Sequence, residues 1–462
     1  MAHRTLIRGG HVVTMDPALG ELATGDVLVE DGVISAVAPS IQAEDAELID
    51  ATGHIVAPGL IDTHRHTWQT QLRGICADWT LADYFYGIRL AVSPAYTAAD
   101  VHIGNRLGAL DALAAGVTTI VDFSHCNNTP EHSDAAIAGL RDAGIRAVFG
   151  YGFFNSAPMD PSSPSHDDRL ADLARLASTG LPSDGLLSLG VALTEVGLVP
   201  LSDTRAEIEA ARRLEGIVVA HTGCVWGMPS GVLDLDARGL LGPDQIHVHC
   251  NALDSNEWQA LSRAGAKVSI SVETELNMGM GRPAFAQCEA HGIKPTLSCD
   301  VVSLNTGDLF TQIRMGAAFA RWADTEALNL AGGNPASVSV KANEALAWVT
   351  VNAAEATGLD GVVGSLTPGK SADVIVVGGP SFAQHPVIDA TGTLVFQTTP
   401  ADVRTVMVAG RIVKRNGELV GVDLPALLAD ADASAAASSP AWAPPGEPCH
   451  PASTVASTWS PT

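Results

Sequence analysis

Short apolar runs alternate with longer segments of helical spacing through the middle of the chain, from about Pro58 to Pro368. Near-continuous apolar strands that alternate with helices are typical of a parallel sheet covered on both faces. The eight runs are IVAPGLIDTH, VTTIVDFSH, RAVFGYGF, LLSLGVALTE, GIVVAHTG, IHVHC, KVSISVET and KPTLSCD. Eight such units predict an α/β fold, a (β/α)8 TIM barrel. Helices are predicted at Ala98–Ala115, Ser133–Ala143, Thr204–Leu214 and Ser255–Ala264.

The two ends of the chain follow another pattern, in which apolar and polar residues alternate between Gly and Asp turn signals. This alternation is typical of antiparallel strands and hairpins. It begins near the N-terminus and returns at Ala372–Gly379, Leu394–Gln397 and Val403–Lys414. We therefore predict three parts: a small β-sandwich domain (1–57 plus 369–425), a catalytic barrel (58–368) and an Ala/Ser/Pro-rich tail (426–462) that is flexible from about Ala431.

Composition narrows the classes of partner. Acidic residues outnumber basic ones 51 to 26, a net charge of −25 that repels phosphate backbones and argues against nucleic-acid binding. No apolar run approaches the roughly eighteen residues of a membrane span, and the N-terminus lacks a signal-peptide pattern. The seven cysteines are scattered and odd in number. We expect a cytoplasmic protein that acts on a small molecule, and its acidic surface is compatible with a homo-oligomer.

Polar residues recur where the predicted barrel strands end. In a barrel of this type the loops that follow the strands converge at one face, which carries the active site. Side chains far apart in sequence would therefore meet there. These residues are His64, His66, His125, Glu195, His221, His247, His249, Glu273, Glu275 and Asp300.

The pair His64 and His66 indicates a metal site. At a strand end, residues two apart point to the same face, so two imidazoles can bind one ion. With His221 and Asp300 they form a set of three imidazoles and one carboxylate, which suits Zn²⁺, with Fe²⁺ or Mn²⁺ as alternatives. The competing interpretations are surface histidines, a hydrogen-bonded strand-end histidine at position 221, and a turn or helix-cap role for Asp300.

The motifs PGLIDTHRH, AHTG, HVHC and LSCD resemble the successive strand-end motifs of the amidohydrolase superfamily, in the branch of cytosine deaminases, 8-oxoguanine deaminases and triazine hydrolases. GKSADVIVV and VMVAGRIV resemble its flanking β modules, so the similarity reaches about residue 425. The resemblance implies that His64, His66, His221 and Asp300 hold one divalent metal, zinc first, and its water. It further implies that Asp300 takes the proton of this water and that His249 polarises the group under attack.

Other residues are candidates for substrate contact. Gln69 stands where 8-oxoguanine deaminase-like members carry a substrate-contacting Gln, although a solvent-facing Gln is an equal alternative. Trp68 lies in a loop crowded with aromatic residues, where it either stacks on a flat substrate or packs under the loop. His247 lies on the same strand face as His249, and we expect His247 to be buried and hydrogen-bonded.

The chain departs from the family pattern at the fifth strand. Deaminases of this branch usually carry His-x-x-Glu there, whereas this chain has Cys224 in place of the Glu, a weak acid unless its pKa is strongly lowered. Glu273 and Glu275 on the seventh strand are candidates to replace the missing acid or to bind an amino group of the substrate. A salt bridge or a helix cap is an equally good interpretation of either glutamate.

A two-metal centre is the less favoured alternative. Binuclear relatives use a carboxylated Lys on the fourth strand, but the first Lys of this chain is Lys267. Glu195 is the alternative bridging group, which would make ligands of His221 and His249 as well. We predict one metal.

Three functions follow from these features. The first is hydrolysis, in which a metal-activated water attacks a C–N or ester-type carbon of a small aromatic or heterocyclic substrate. The second is dehydrative ring closure, forming a benzoxazole from a 3-hydroxyanthranilate-type unit in actinobacterial secondary metabolism. The third is a non-catalytic binding protein. We expect the hydrolase.

Overall fold

The computed structural model describes residues 4–181, 184–379 and 382–438. The N-terminal part alternates strands with tight turns, as its sequence pattern predicts. Its five strands are β1 (Arg4–Val13), β2 (Glu21–Glu30), β3 (Val33–Ala38), β4 (Glu47–Asp50) and β5 (His54–Pro58).

Eight parallel strands follow in chain order, each neighbouring the next, and they form the predicted barrel. They are β6 (Leu60–Arg65), β7 (Val117–Ser124), β8 (Arg146–Gly152), β9 (Leu187–Ala192), β10 (Val218–Thr222), β11 (Gln245–His249), β12 (Lys267–Ile270) and β13 (Pro295–Leu297). The barrel closes between its first and last strands just beyond β13. There the Asp300 N–H donates to the His64 carbonyl at 3.0 Å, and the His66 N–H donates to the Asp300 carbonyl at 2.9 Å.

The chain then returns to the first sheet through β14 (Val374–Gly378), β15 (Val403–Val408), β16 (Arg411–Arg415) and β17 (Glu418–Leu419). These strands extend a nine-stranded sheet in the order β17-β16-β15-β14-β5-β1-β2-β3, with β4 beside β1. The antiparallel pairing of β14 with β5 joins the two ends of the chain. The prediction that both termini build one separate β domain is confirmed.

One predicted strand is two strands. The run IVAPGLIDTH divides at Gly59, because β5 belongs to the nine-stranded sheet and β6 to the barrel. A Cβ at Gly59 would lie 2.1 Å from the Thr118 hydroxyl oxygen, so only glycine lets the chain cross so closely over β7. The metal-ligand motif therefore begins directly after the junction of the two sheets.

Helices alternate with the barrel strands, and the four predicted helices are confirmed with shifts of a few residues. Capping boxes begin several of them, such as the one at Thr97 and Asp100 before α2. Within the described residues, no helix has both the length and the apolar character needed to cross a membrane. The helices are α1 (Leu81–Tyr84), α2 (Ala98–Ala114), α3 (Pro130–Ala143), α4 (His166–Thr179), α5 (Leu201–Arg213), α6 (Val232–Ala237), α7 (Ser255–Ala264), α8 (Val272–Asn277), α9 (Phe285–Ala290), α10 (Leu309–Leu330), α11 (Ala342–Ala347), α12 (Val351–Ala356), α13 (Ala390–Phe396) and α14 (Leu424–Ser438).

The strand predicted at Leu394–Gln397 is wrong, because these residues lie at the end of α13. A short apolar run does not distinguish a strand from a buried helix. The helix signal is Asp389, whose carboxylate accepts the Gly392 N–H at 2.7 Å as an N-cap.

The prediction of a flexible tail from Ala431 is also wrong for residues 431–438, the part of that tail that the structure describes. Residues up to Ser438 belong to α14, which packs on α2. The Ser434 hydroxyl donates to Asp100 at 2.6 Å and accepts from the Gln71 amide at 3.2 Å. Residues 439–462, the rest of the predicted tail, lie outside the described residues.

Candidate active site

The four predicted metal ligands meet where the barrel closes. Oδ1 of Asp300 lies 3.1 Å from Nε2 of His64 and 3.4 Å from Nε2 of His66. Nε2 of His221 lies 3.3 Å from Nε2 of His66. All four side chains are at most about a tenth exposed. Strands β6 and β10 and the segments that directly follow β6 and β13 thus bring three imidazoles and one carboxylate to one point.

The outer ring nitrogens show that this donor set fits a cation. Nδ1 of His66 donates to the Phe123 carbonyl at 3.0 Å, and Nδ1 of His221 lies 3.5 Å from a carboxylate oxygen of Glu195. Burial lowers the pKa of His221, although Glu195 opposes this, which favours the neutral ring, and the Glu195 carboxylate favours a proton on Nδ1. Two Nε2 lone pairs therefore face each other beside a carboxylate, an arrangement that a divalent ion satisfies.

The protonation states also suit a metal. Burial alone would raise the pKa of Asp300, but the hydrogen bond from His64 and the nearby His249 hold it well below its usual range. Burial lowers the pKa of His64 to about 4, although Asp300 opposes this change. A carboxylate and a neutral imidazole are the forms that bind metals.

His249 faces the same cluster from β11. Its Nε2 lies 3.9 Å from Oδ2 of Asp300, and its Nδ1 lies 3.1 Å from Glu275. Glu275 also accepts the Ser271 N–H at 2.8 Å and the Asn251 amide at 3.2 Å. Burial would lower the pKa of His249, but Glu275 raises it above the ordinary value. Of the two candidate glutamates, Glu275 is the one that contacts a site residue.

The backbone is strained at this point. His249, Cys250 and Asp300 have φ values of 74°, 58° and 57°, in the left-handed region that non-glycine residues rarely adopt. Strain of this kind costs of the order of 1–3 kcal/mol per residue and is concentrated at functional sites. Here it turns the chain sharply after β11 and β13, where His249 and Asp300 face the cluster.

Arg89 is a site residue that the sequence analysis missed. It lies in an irregular helical segment, Phe85–Val92, and pairs with Glu195, whose other oxygen lies 3.4 Å from the guanidinium. Burial would raise the pKa of Glu195, but Arg89 lowers it well below the usual range. Glu195 is therefore a carboxylate that is paired with Arg89 and lies beside Nδ1 of His221. The signal available in the sequence was Arg89 itself, a single cationic residue within the apolar stretch GIRLAV.

The predicted substrate-contacting residues Trp68 and Gln69, which follow the first barrel strand, are both fully buried. The Gln69 amide donates to the Tyr84 hydroxyl at 3.0 Å, and its oxygen accepts from Ser303 at 3.0 Å. Trp68 is fully buried, as in the packing alternative, and its indole N–H donates to Nδ1 of His125 at 2.9 Å. The His125 ring in turn stacks on His66 with the centroids 4.3 Å apart. Trp68 thus contacts the site through His125.

The remaining candidates lie outside the ligand cluster. Burial, and after it Glu195, raises the pKa of Cys224 to about 12, so this residue is a weaker acid than an ordinary thiol. Glu273 accepts the Gln312 amide at 2.7 Å, and burial together with Asp308 raises its pKa to about 7. His247 is buried, with Nδ1 2.9 Å from the Thr222 hydroxyl, as expected.

Known proteins resemble this chain over nearly its whole length. The family model "Amidohydrolase family" matches residues 55–413. A 5-methylthioadenosine/S-adenosylhomocysteine deaminase of Symbiobacterium thermophilum is 29% identical over 434 residues, which cover 89% of this chain and 93% of the relative. A 5'-deoxyadenosine deaminase of Methanosarcina barkeri is 26% identical over 450 residues, or 93% of this chain and 97% of the relative.

Two solved structures share the fold. An adenosine deaminase from Xanthomonas campestris with bound zinc superposes with a TM-score of 0.83 at 23% identity, covering 94% of this chain and 98% of that one. An atrazine chlorohydrolase from Arthrobacter aurescens complexed with zinc superposes with a TM-score of 0.82 at 21% identity, covering 93% of this chain and 99% of that one.

Proposed function

Because the chain belongs to the amidohydrolase family and is a hydrolase, we propose that it breaks a C–N or related bond at a ring carbon of a small nitrogen heterocycle. The observation that carries the proposal is the convergence of His64, His66, His221 and Asp300, with Nδ1 of His66 and of His221 already facing oxygen acceptors. The relatives named as deaminases support a nitrogen-containing leaving group.

The same four residues would hold one divalent ion, zinc first. When bound, such an ion lowers the pKa of a water toward neutrality and so supplies the nucleophile. The Nδ1 contacts of His66 and His221 orient their rings for this role, since outer partners fix both the tautomer and the direction of a ligand.

Asp300 and His249 divide the proton transfers. The lowered pKa of Asp300 keeps it a carboxylate, so it can accept the proton of the attacking water. His249 faces Asp300 across 3.9 Å, and Glu275 behind it favours the protonated ring. His249 then polarises the group under attack and donates toward the leaving atom, a role that Cys224 as a thiol cannot fill.

The substrates to test first are those of the relatives. Aminated purine nucleosides such as 5'-deoxyadenosine and 5-methylthioadenosine stand at the head of the list, followed by chlorinated triazines. In each compound a ring carbon bonded to at least one ring nitrogen carries the leaving group, so the same attack serves both classes.

Dehydrative ring closure is the second candidate. The observation that favours it is Cys224, a thiol with a raised pKa at the position where ammonia-releasing relatives usually carry a glutamate. Formation of a benzoxazole from a 3-hydroxyanthranilate-type unit releases water and no ammonia, so it does not need that acid.

One experiment separates these candidates. Zinc-loaded protein is incubated with the nucleosides, with atrazine and with an amide of 3-hydroxyanthranilate, and ammonia, chloride and product masses are measured. Ammonia or chloride release that depends on zinc and is lost in His64→Ala supports hydrolysis. Loss of water from the anthranilate amide, without ammonia, supports ring closure instead. The variant His102→Ala, altered at a partly exposed surface histidine, is the control that keeps the activity. Failure of the protein to take up zinc would contradict both hydrolysis and ring closure.

A further inference from the structure

His125 lies against the predicted metal ligands without belonging to them. It follows β7 and is 1% exposed. Its ring is nearly parallel to that of His66, with an interplanar angle of 9° and centroids 4.3 Å apart. This stacking places the face of the His125 ring against His66, one of the predicted metal ligands.

Trp68 fixes the tautomer of His125. An indole N–H only donates, and here it donates to Nδ1 of His125 at 2.9 Å. Nδ1 is therefore the acceptor, and the proton of the neutral ring is on Nε2. Trp68 is itself fully buried and packs edge-on against Tyr96 at 5.3 Å, so its N–H keeps this direction.

The Nε2–H of His125 has no acceptor among residues 4–181, 184–379 and 382–438. A buried donor without a partner costs about 1–3 kcal/mol, so its presence calls for a bound acceptor. Nε of Arg89 is a second buried nitrogen without a partner in the described ranges. The Phe154 ring neighbours both residues, 3.8 Å from the guanidinium carbon of Arg89 and 6.5 Å from the His125 ring.

The wall made of His125, Phe154 and Arg89 offers hydrogen-bond donors but little net positive charge. The guanidinium of Arg89 is already paired with Glu195. The His125 ring is neutral, since Trp68 occupies its second nitrogen as a donor. A free carboxylate would gain little from such a wall after losing its hydration, whereas a neutral acceptor loses less. The wall thus favours a ring nitrogen or a carbonyl oxygen.

We propose that Nε2–H of His125 is a hydrogen-bond donor to the substrate and that Trp68 is the positioning residue that aims it. The substrate class is a neutral heterocycle that presents a ring nitrogen or carbonyl oxygen to His125 when its reacting carbon lies at the metal-ligand cluster. This inference rests on the proposed function, because it assumes that the substrate binds at that cluster.

The tautomer is tested without any substrate. Zinc-loaded protein labelled with ¹⁵N-histidine is examined by long-range ¹H–¹⁵N NMR, and His125 is assigned by its absence in His125→Gln. We expect a protonated Nε2 in the wild type and a mixture of tautomers in Trp68→Phe, which keeps an aromatic ring but removes the donor. A protonated Nδ1 or a doubly protonated ring in the wild type overturns the proposal. Because no turnover is needed, this result is independent of the failure or success of the proposed function.

The donor role is tested by two substitutions on the best substrate of the panel above. His125→Phe keeps a ring to stack on His66, and His125→Gln restores an amide N–H near the position of Nε2. We expect His125→Phe to lower kcat/KM by about 10- to 100-fold and His125→Gln by less than about fivefold. Zinc content per chain is measured for both variants and stays at the wild-type value.

Equal kcat/KM values for the two variants, or values within about twofold of the wild type for His125→Phe, overturn the donor role. Turnover confined to compounds that carry a free carboxylate overturns the neutral-acceptor class. If the wild type turns over no compound of the panel, the proposed function fails and the NMR result alone decides the tautomer on which the donor role depends.

Discussion

The Nε2 atoms of His66 and His221 lie 3.3 Å apart while the Nδ1 atom of each ring faces an oxygen acceptor. These acceptors favour the tautomers with the proton on Nδ1, in which the two Nε2 lone pairs repel each other unless a cation lies between them. The protein thus holds a preformed donor set whose repulsion is relieved by metal binding.

Metal binding is therefore expected to stabilise the fold. Zinc at about 100 times its Kd should raise the free energy of unfolding by about 2.7 kcal/mol, measured as a higher Tm in calorimetry. The shift disappears in His66→Ala, which removes a ligand. In His247→Ala, altered at a buried histidine outside the cluster, the zinc-induced shift is expected to persist even if the starting Tm is lower. A zinc-independent Tm in the wild type contradicts the metal site.

The carboxylate of Asp300 is expected to carry the proton transfer from water. Asp300→Asn keeps the size of the side chain but removes the base, so kcat should fall by about 10²- to 10⁴-fold on the best substrate. Asp254→Asn makes the same chemical change at the N-cap of α7 and should leave kcat unchanged. A kcat for Asp300→Asn within tenfold of the wild type would show that another group accepts the proton.

The Arg89–Glu195 pair is expected to hold His221 in place. Arg89→Met leaves the Glu195 carboxylate without its cation in a largely buried position, which should cost about 3 kcal/mol in the free energy of unfolding. It should also weaken zinc binding by about 10- to 100-fold, since outer partners tune ligands. Urea unfolding and zinc titration calorimetry measure the two effects. The double variant Arg89→Met/Glu195→Gln should recover stability but not zinc affinity, and recovery of both would refute a role for the pair at the ligand.

Glu273 is expected to make stability depend on pH. Burial and Asp308 raise its pKa from 4.5 to about 7, so the folded state holds a proton that the unfolded state releases between these values. The stability that this residue contributes is present below about pH 4.5 and is lost as the pH rises through about 7.

Glu273→Gln removes this dependence because the amide does not titrate. Relative to the wild type, the variant should gain about 1–2 kcal/mol in the free energy of unfolding between pH 5 and pH 8, a range that allows for the partial exposure of the side chain. Urea unfolding at both pH values measures the gain. The exposed Glu289→Gln is the matched control, and an equal pH response in the two variants would contradict the raised pKa of Glu273.

The sequence was sufficient to predict the barrel and the convergence of the predicted metal ligands, because apolar strand runs and strand-end histidines are local patterns. The eight runs and the convergence of His64, His66, His221 and Asp300 both follow from them. Arg89 and Glu195 are 106 residues apart, and their pairing depends on how an irregular helical segment folds over the barrel mouth. No periodic pattern marks such a contact.

The same limit applies to Trp68 and His125. Each was noticed alone, as an aromatic loop residue and a strand-end histidine, but their hydrogen bond joins two different loops. The short helix α13 and the Ala-rich helix α14 were missed for another reason. Their composition also suits a strand or a flexible tail, and tertiary packing decides the outcome.

The backbone hydrogen bonds between Asp300 and the His64–His66 segment tie the last barrel strand to the first across more than half of the chain. During synthesis, the N-terminal histidines emerge from the ribosome long before their carboxylate partner does. The complete four-residue coordination set therefore comes into existence only once the ring of strands has been joined, and its loading with metal would report that the polypeptide has finished assembling its barrel.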